Sequence, residues 1–120
     1  MKPCFIDEQP NFKYSIEYKK EKICECHTLS GFEKNDIDVK STVNSEMKDG
    51  KLIINKDQSI EYIKTMIYAI DSWIIPNKDG TIADITEDNI KRLPDDVYSA
   101  IIIGIYKHES PKILKEASKN

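Results

Sequence analysis

Apolar and polar residues alternate in two stretches near the N-terminus, which is the period-2 pattern of half-buried β-strands. In residues 12–18, the apolar positions are Phe12, Tyr14, Ile16 and Tyr18. In residues 23–29, one face carries Ile23, Glu25, His27 and Leu29, and the other carries Cys24, Cys26 and Thr28. A polar connection, Lys19-Lys20-Glu21-Lys22, separates the two stretches. The pattern predicts strands within residues 12–29 that pair as an antiparallel hairpin.

The next region contains one clear helix signal and two weaker patterns. Ser30 and Glu33 have the spacing of a capping box, in which each side chain bonds to the backbone N–H of the other residue. A helix is therefore predicted over residues 31–40. Residues 41–49 are polar and are predicted to form a loop that closes at Gly50. Residues 51–55 are predicted to form a short third strand of the sheet.

From Asp57 onward the apolar residues recur with the 3.6-residue period of a helix. A helix is predicted over residues 58–74, and Pro76 ends it because proline disfavours helical geometry in the preceding residue. Its apolar face consists of Ile60, Tyr62, Ile63, Met66, Ile67, Ala69, Ile70, Trp73 and Ile74. Helical structure is predicted again over residues 87–109, divided at Leu93-Pro94, and a terminal helix is predicted over residues 111–118.

The order of these elements indicates the fold class. Strands come mainly before helices, without the regular alternation of βαβ units, which predicts an α+β fold. The small antiparallel β-sheet, made of the N-terminal hairpin and the short third strand, is expected to pack on the C-terminal helical part. We expect residues 1–120 to form a single domain, because a chain of this length buries enough surface for one core.

Composition narrows the classes of function. The 18 Lys and Arg residues are outnumbered by 21 Asp and Glu residues, and the net charge of -3 argues against the broadly basic surface that nucleic-acid binding requires. No apolar run has the length of a signal peptide or of a membrane span. Together with three cysteines, an odd number, this predicts a cytoplasmic protein with reduced thiols and no membrane partner.

The sequence Cys24-Glu25-Cys26-His27 raises the hypothesis of a zinc site, with Cys4 or His108 as a fourth ligand. Its spacing argues against that hypothesis, because structural zinc sites usually separate paired cysteines by two or more residues. In addition, alternation along a strand places His27 on the face opposite both cysteines. We therefore predict buried or half-buried free thiols and no metal site.

Two further motifs resemble functional sites. The segment Asn77-Lys78-Asp79-Gly80 resembles the middle of a calcium loop, but the first and twelfth ligand positions fall on Ile75 and Thr86, so a plain turn is predicted. Two pairs of acids resemble catalytic carboxylates, namely Glu87 with Asp88 and Asp95 with Asp96. All four lie in the first turns of predicted helices, where the positive end of the helix dipole is sufficient to explain acidic residues. The two histidines, His27 and His108, lack a recognisable nucleophile motif. The sequence therefore predicts no catalytic residues and no cofactor.

The C-terminal half resembles small tail-morphogenesis proteins of bacteriophages and prophages, of the tail assembly chaperone type. The resemblance covers about half of the chain and consists of residues that shape the fold. They are Trp73, Asp79-Gly80, Thr86-Glu87-Asp88, Ile90, Leu93-Pro94 and the apolar run from Ile101 to Ile105. Where the family usually has Val-Thr before the Glu, this chain has Ile85-Thr86.

The resemblance implies a non-enzymatic protein of the host bacterial cytoplasm that binds apolar helices of a partner, such as the tape measure protein. The expected binding site is a groove between the helices over residues 59–74 and 94–108. The expected groove-lining residues are Tyr62, Met66, Trp73, Ile102 and Tyr106. Two alternatives stay open, a connector or other structural component of the virion and a small acidic inhibitor or immunity-type protein. Gly104 and the run Ile101-Ile102-Ile103 are also compatible with a homo-oligomer.

Overall fold

The computed structural model describes residues 3–110 and confirms the α+β class. After a 3₁₀ turn at Ile6–Glu8, the strands are β1 (Lys13–Tyr18), β2 (Glu21–His27), β3 (Thr42–Lys48), β4 (Lys51–Lys56) and β5 (Ile70–Trp73). The α-helices are α1 (Gly31–Ser41), α2 (Gln58–Ala69), α3 (Glu87–Lys91) and α4 (Asp95–Glu109). The terminal helix predicted over residues 111–118 lies outside the described residues.

The main sheet has three antiparallel strands in the order β1-β2-β5. The N-terminal hairpin is present as predicted, and its connection places Lys19 and Lys20 at positive φ angles of 51° and 68°. Residues 51–55 are a strand, as predicted, but the sheet to which it was assigned was wrong. The strand is β4 of a separate sheet and does not join β1 and β2. Its place is taken by β5, which pairs with β2.

The helix predicted over residues 58–74 is shorter than expected. It begins after Asp57, whose side chain accepts a hydrogen bond from the backbone N–H of Ile60, and it ends at Ala69. Of the five remaining predicted positions, the first four, Ile70–Trp73, form β5 instead. The capping box of α1 is confirmed, since Ser30 accepts from the N–H of Glu33 and the Glu33 carboxylate accepts from the N–H of Ser30.

The helical region predicted over residues 87–109 consists of two helices that are separated by Leu93-Pro94. Thr86 caps α3 by accepting a hydrogen bond from the N–H of Asn89. The longer α4 packs across β1, where Gly104 lies directly over the side chain of Ile16.

The core lies between the main sheet, α2 and α4. Its completely buried large side chains are Met66, Ile90, Ile101, Ile105, Cys24 and Cys26. Burial of each of these Met and Ile side chains contributes about 1.5–3 kcal/mol to folding, so the burial of apolar side chains supplies most of the driving force.

Candidate functional site

The strands β3 and β4 form a second sheet of two strands. The segment 41–49 was predicted to be a loop, but it contains the whole of the first strand, β3. Asp49 and Gly50 make the turn with φ angles of 52° and 75°, the two positive values that a type I′ hairpin turn requires. An Asp-Gly pair is one of the strongest short-range hairpin signals, so the sequence contained the information that distinguishes this hairpin from a loop.

The pairing register gives the hairpin one apolar face. Met47 lies opposite Leu52, and Ser45 lies opposite Ile54, so these four side chains project from the same side of the sheet. The fractional exposures of Met47, Leu52 and Ile54 are 68%, 62% and 50%. Val43, at the β-bulge near the base of the hairpin, is 65% exposed.

The opposite face of the hairpin is mostly polar. Asn44 lies opposite Asn55, whose amide donates a hydrogen bond of 2.6 Å to the Asn44 side chain. Lys48 lies opposite Lys51, and Glu46 lies opposite the partly buried Ile53. The hairpin is therefore amphipathic, and both of its faces, the apolar one included, are exposed to solvent.

The hairpin extends from the body of the protein between the end of α1 and the start of α2. Of residues 42–56, all are exposed except Thr42 and Ile53, which are intermediate. Its base is held by a hydrogen bond from the Asp57 N–H to the Ser41 carbonyl, and by an ion pair of 2.6 Å between Lys56 and Asp38. Both outer edges of a two-stranded sheet have unpaired backbone groups.

Such a hairpin has little stability of its own in water. Eleven large apolar side chains of the described residues are exposed, and four of them lie on this hairpin. The other seven are spread over the remaining surface, where single exposed apolar side chains are ordinary. A concentration of this kind is typical of a surface that contacts another molecule. The hairpin face formed by Val43, Met47, Leu52 and Ile54, called the hairpin face below, is the strongest candidate for a functional surface.

The five residues predicted to line a groove between helices have different positions. Met66, Trp73 and Ile102 are buried, with exposures of 0%, 5% and 7%, so they belong to the core and do not line an open groove. Tyr62 and Tyr106 are partly buried, and their rings contact edge to face with centroids 5.6 Å apart. Only these two remain accessible to a ligand.

The cysteine and histidine side chains of β2 point in different directions. Cys24 and Cys26 are buried against the core, and burial raises the pKa of each thiol to about 12. Among residues 3–110, no group of three or more His, Cys, Asp or Glu side chains is arranged to hold a metal ion. The buried thiols behave as small apolar side chains.

His27 connects three elements at the margin of the main sheet. Its Nδ1 lies 2.7 Å from Oδ1 of Asp71 in β5, and its Nε2 lies 3.2 Å from Oε2 of Glu33 in α1. Lys13 also pairs with Asp71, at 2.7 Å. Partial burial lowers the pKa of His27, but the bonds to the two carboxylates outweigh this effect and leave the pKa above its ordinary value. Since the carboxylates bind opposite ring nitrogens, they do not converge on one point.

The charged form of His27 should therefore contribute to stability in a pH-dependent way. A raised pKa in the folded state gives a contribution that is complete below the unfolded value of about 6.5 and is lost as pH rises through the folded value. We expect the difference in unfolding free energy between wild type and His27→Gln to be larger at about pH 5.5 than at about pH 8.5, by on the order of 1 kcal/mol. Urea denaturation at both pH values measures it.

The Asp71→Asn background serves as the control for this prediction, because it removes the nearest carboxylate and should reduce the pH dependence of the difference. A difference between wild type and His27→Gln that is the same at both pH values would contradict a charge-assisted role for His27.

His108 has structural contacts in the fold. Its Nε2 lies 2.7 Å from the hydroxyl oxygen of Thr28, and its ring stacks on Tyr14 with centroids 3.7 Å apart. The Thr28 hydroxyl is also 3.1 Å from the Phe12 carbonyl, to which it can donate. A hydroxyl that donates to the backbone and accepts from imidazole joins α4 to the sheet and is not arranged as a nucleophile beside a base.

The turn that resembled a calcium loop is held by its own side chains. Asp79 accepts hydrogen bonds from the backbone N–H and the hydroxyl of Thr81, and Gly80 has a φ of 91°. The pKa of Asp79 is lowered mainly by the hydrogen bond from the Thr81 side chain. These bonds explain the acid at position 79 as a turn residue.

Comparisons with known proteins do not extend this description. No protein-family model matches the chain, and neither the curated proteins nor the solved structures contain a significant match. Within the part of the chain that the structure describes, no helix combines the length and the apolarity needed to cross a bilayer.

Proposed function

We propose that this protein is a non-enzymatic binding protein that presents the hairpin face to an amphipathic helix of a partner protein. The observation that carries the proposal is the concentration of exposed apolar side chains on one side of a projecting hairpin. The resemblance to tail assembly chaperones suggests the setting, in which the partner is an apolar helix of a tape measure protein and binding takes place in the bacterial cytoplasm before assembly.

The dimensions of the hairpin support a helical partner. Strands of six or seven residues are about 20 Å long, which is the length of a helix of about 13 residues. Two strands side by side span about 10 Å, close to the diameter of one helix with its side chains. One helix laid along the hairpin would therefore cover the whole apolar face, in the helix-on-sheet packing that domains use internally.

This surface replaces the groove that the sequence predicted between α2 and the C-terminal helix. A groove lined by Met66, Trp73 and Ile102 would require the core to open, because all three are buried. The hairpin face requires no rearrangement of the body. The proposal therefore keeps the class of partner implied by the resemblance and changes the surface that binds it.

The acidic-inhibitor alternative gains no support from the arrangement of acids between residues 79 and 96. Asp79 bonds to Thr81, and Asp96 accepts a hydrogen bond from the Tyr18 hydroxyl. Glu87 lies 3.4 Å from the Lys91 ammonium and 4.0 Å from that of Lys64. The charge of Glu87 is thus compensated by lysines, and contacts within the protein explain the positions of Asp79 and Asp96 without an external partner.

The proposal predicts that charges on the hairpin face abolish binding of the helix. Met47→Lys combined with Ile54→Lys should weaken the affinity for a helical peptide from the tape measure protein of the same genome by about 100-fold or more, because each apolar side chain contributes about 1.5–3 kcal/mol when buried. Isothermal titration calorimetry measures the affinity, and circular dichroism checks that the fold is kept.

The matched control is Asn44→Lys combined with Glu46→Lys, which places two lysines on β3 of the same hairpin but on its polar face. This control should bind with an affinity close to that of wild type. Equal losses from the two faces would rule out the hairpin face as the binding surface, and the absence of binding by wild type would reject the proposed partner. Gel filtration of wild type alone shows whether a second copy covers the face instead.

A further inference from the structure

A cleft of about 460 Å³ lies on the helical side of the body, between α1, α2 and the end of α4. Apolar walls are provided by Leu29, Ile37 and Ile105 together with Tyr106. The volume falls within the range of small-molecule sites, which are usually apolar with a few polar groups that orient the ligand.

Glu109, at the end of α4, is the most unusual polar group in this cleft. Its side chain is only 8% exposed, and its Oε2 accepts a hydrogen bond of 2.8 Å from the Leu29 N–H. Its Oε1 is buried and accepts no hydrogen bond from the described residues. The Lys34 ammonium lies 3.4 Å from Oε1, within ion-pair range but without a hydrogen bond, and the Lys34 side chain is 54% exposed. A buried carboxylate oxygen without a donor is costly, so the cleft lacks a donor at this point.

The second carboxylate of the cleft is Glu61 in α2. The Tyr106 hydroxyl donates to its Oε1 at 3.5 Å, the long limit for a hydrogen bond. Burial, followed by the nearby charge of Glu61, raises the pKa of Tyr106 to about 12, so the phenol is neutral at physiological pH. Asp38 also lines the cleft, but it is already paired with Lys56 at 2.6 Å. Glu109 thus faces only the half-exposed Lys34, and Glu61 has no ion pair among the described residues, so the cleft favours a cation.

We propose that this cleft binds an alkylammonium group. The ammonium would donate to Oε1 of Glu109, and its alkyl chain would lie against the partly exposed ring of Tyr106. The chemistry is common to a free amine and to a lysine side chain of another protein, which are distinguished by the probes used in the test.

Titration with n-hexylammonium, with 1-hexanol as its neutral counterpart, tests the proposal by NMR chemical shifts. The ammonium should bind at least about 10-fold more tightly than the alcohol, since hydrogen bonds between charged groups are the stronger ones. Nα-acetyl-lysine amide is a second probe, and its binding would show that the cleft admits a lysine of a polypeptide. Failure of both amines to bind, or equal binding of hexylammonium and hexanol, would overturn the proposal.

Two substitutions should change the affinity for hexylammonium in opposite directions. Glu109→Gln keeps an acceptor for the Leu29 N–H but removes the charge, and should weaken binding about 10-fold or more. Lys34→Met removes the competing ammonium and should tighten binding several-fold. Lys40→Met, on the same helix but paired with Asp36 outside the cleft, is the control and should change nothing. If Glu109→Gln does not fold, the result for Lys34→Met decides, because weaker binding by that variant contradicts the proposal.

Discussion

Trp73→Ala is expected to lower the free energy of unfolding by about 3–5 kcal/mol, a large fraction of the stability of a domain of this size. Trp73 is 5% exposed and lies at the end of β5, opposite Cys24 of β2. Its indole N–H donates a hydrogen bond of 2.7 Å to the carbonyl of Ala83. The substitution therefore leaves a cavity in the core and removes one of the hydrogen bonds that hold Ala83 in place, beside the one from its own N–H to the Ile75 carbonyl.

Trp73→Phe separates these two contributions. The ring of phenylalanine fills most of the volume, so the expected loss of about 1–3 kcal/mol reflects mainly the Ala83 carbonyl that is left without its donor. Ile74→Ala, the neighbouring position, is the control; its side chain is 45% exposed and the expected change is below about 1 kcal/mol. Chemical denaturation measures the free energy of unfolding of all three variants. A Trp73→Ala variant as stable as Ile74→Ala would contradict the assigned position of Trp73 in the core.

Trp73 also shows why the sequence predicted part of the fold wrongly. In the strand β5, a β-bulge lets Cys24 pair with Trp73 and Cys26 pair with Ile70, while Asp71 is left out of the register. Two residues three positions apart thus face the core from a strand, a spacing that normally indicates a helix. Periodicity alone cannot distinguish the two structures here, because the bulge depends on pairing with β2, which is distant in sequence.

The elements that were predicted correctly are those with local causes. The capping box at Ser30 and Glu33 and the N-cap at Thr86 act within four residues, and the alternation along β1 is visible in the sequence itself. The position of β4 was also found, but its partner was not. Reading Asp49-Gly50 as a hairpin turn predicts that residues 42–48 pair with β4. The many polar side chains of residues 42–48 favoured a loop, although these residues form a strand with one apolar face.

The candidate site could be predicted less well than the fold, for a physical reason. An amphipathic pattern in the sequence shows which side chains form an apolar face. It does not show whether the protein's own core or a partner covers that face. Met66 and Ile102 are covered from within, by the main sheet and by the neighbouring helix. Met47 and Leu52 have no such cover, and this difference is visible only in the assembled structure.

The second large effect is expected at Gly104 of α4, which lies against a neighbouring strand. The neighbour is the side chain of Ile16, and a Cβ atom added at position 104 would lie 3.1 Å from its Cγ1 and 3.3 Å from both Cδ1 and Cγ2. Ile16 is itself 4% exposed and is held against Cys24 of β2. Gly104→Leu should therefore overpack the interface between α4 and β1 and destabilise the protein by about 1–3 kcal/mol, despite the higher helix propensity of leucine.

Combining Gly104→Leu with Ile16→Ala tests the cause of this effect. Ile16→Ala alone should cost about 2–5 kcal/mol because it leaves a cavity, and the leucine at position 104 can fill that space. The loss of unfolding free energy in the double variant should then be smaller than the sum of the losses in the two single variants, by about 1–3 kcal/mol. Ile103→Leu, at an exposed position of the same helix, should change stability by less than about 0.5 kcal/mol. Additive effects at positions 16 and 104 would show that glycine is required there for a reason other than contact with Ile16.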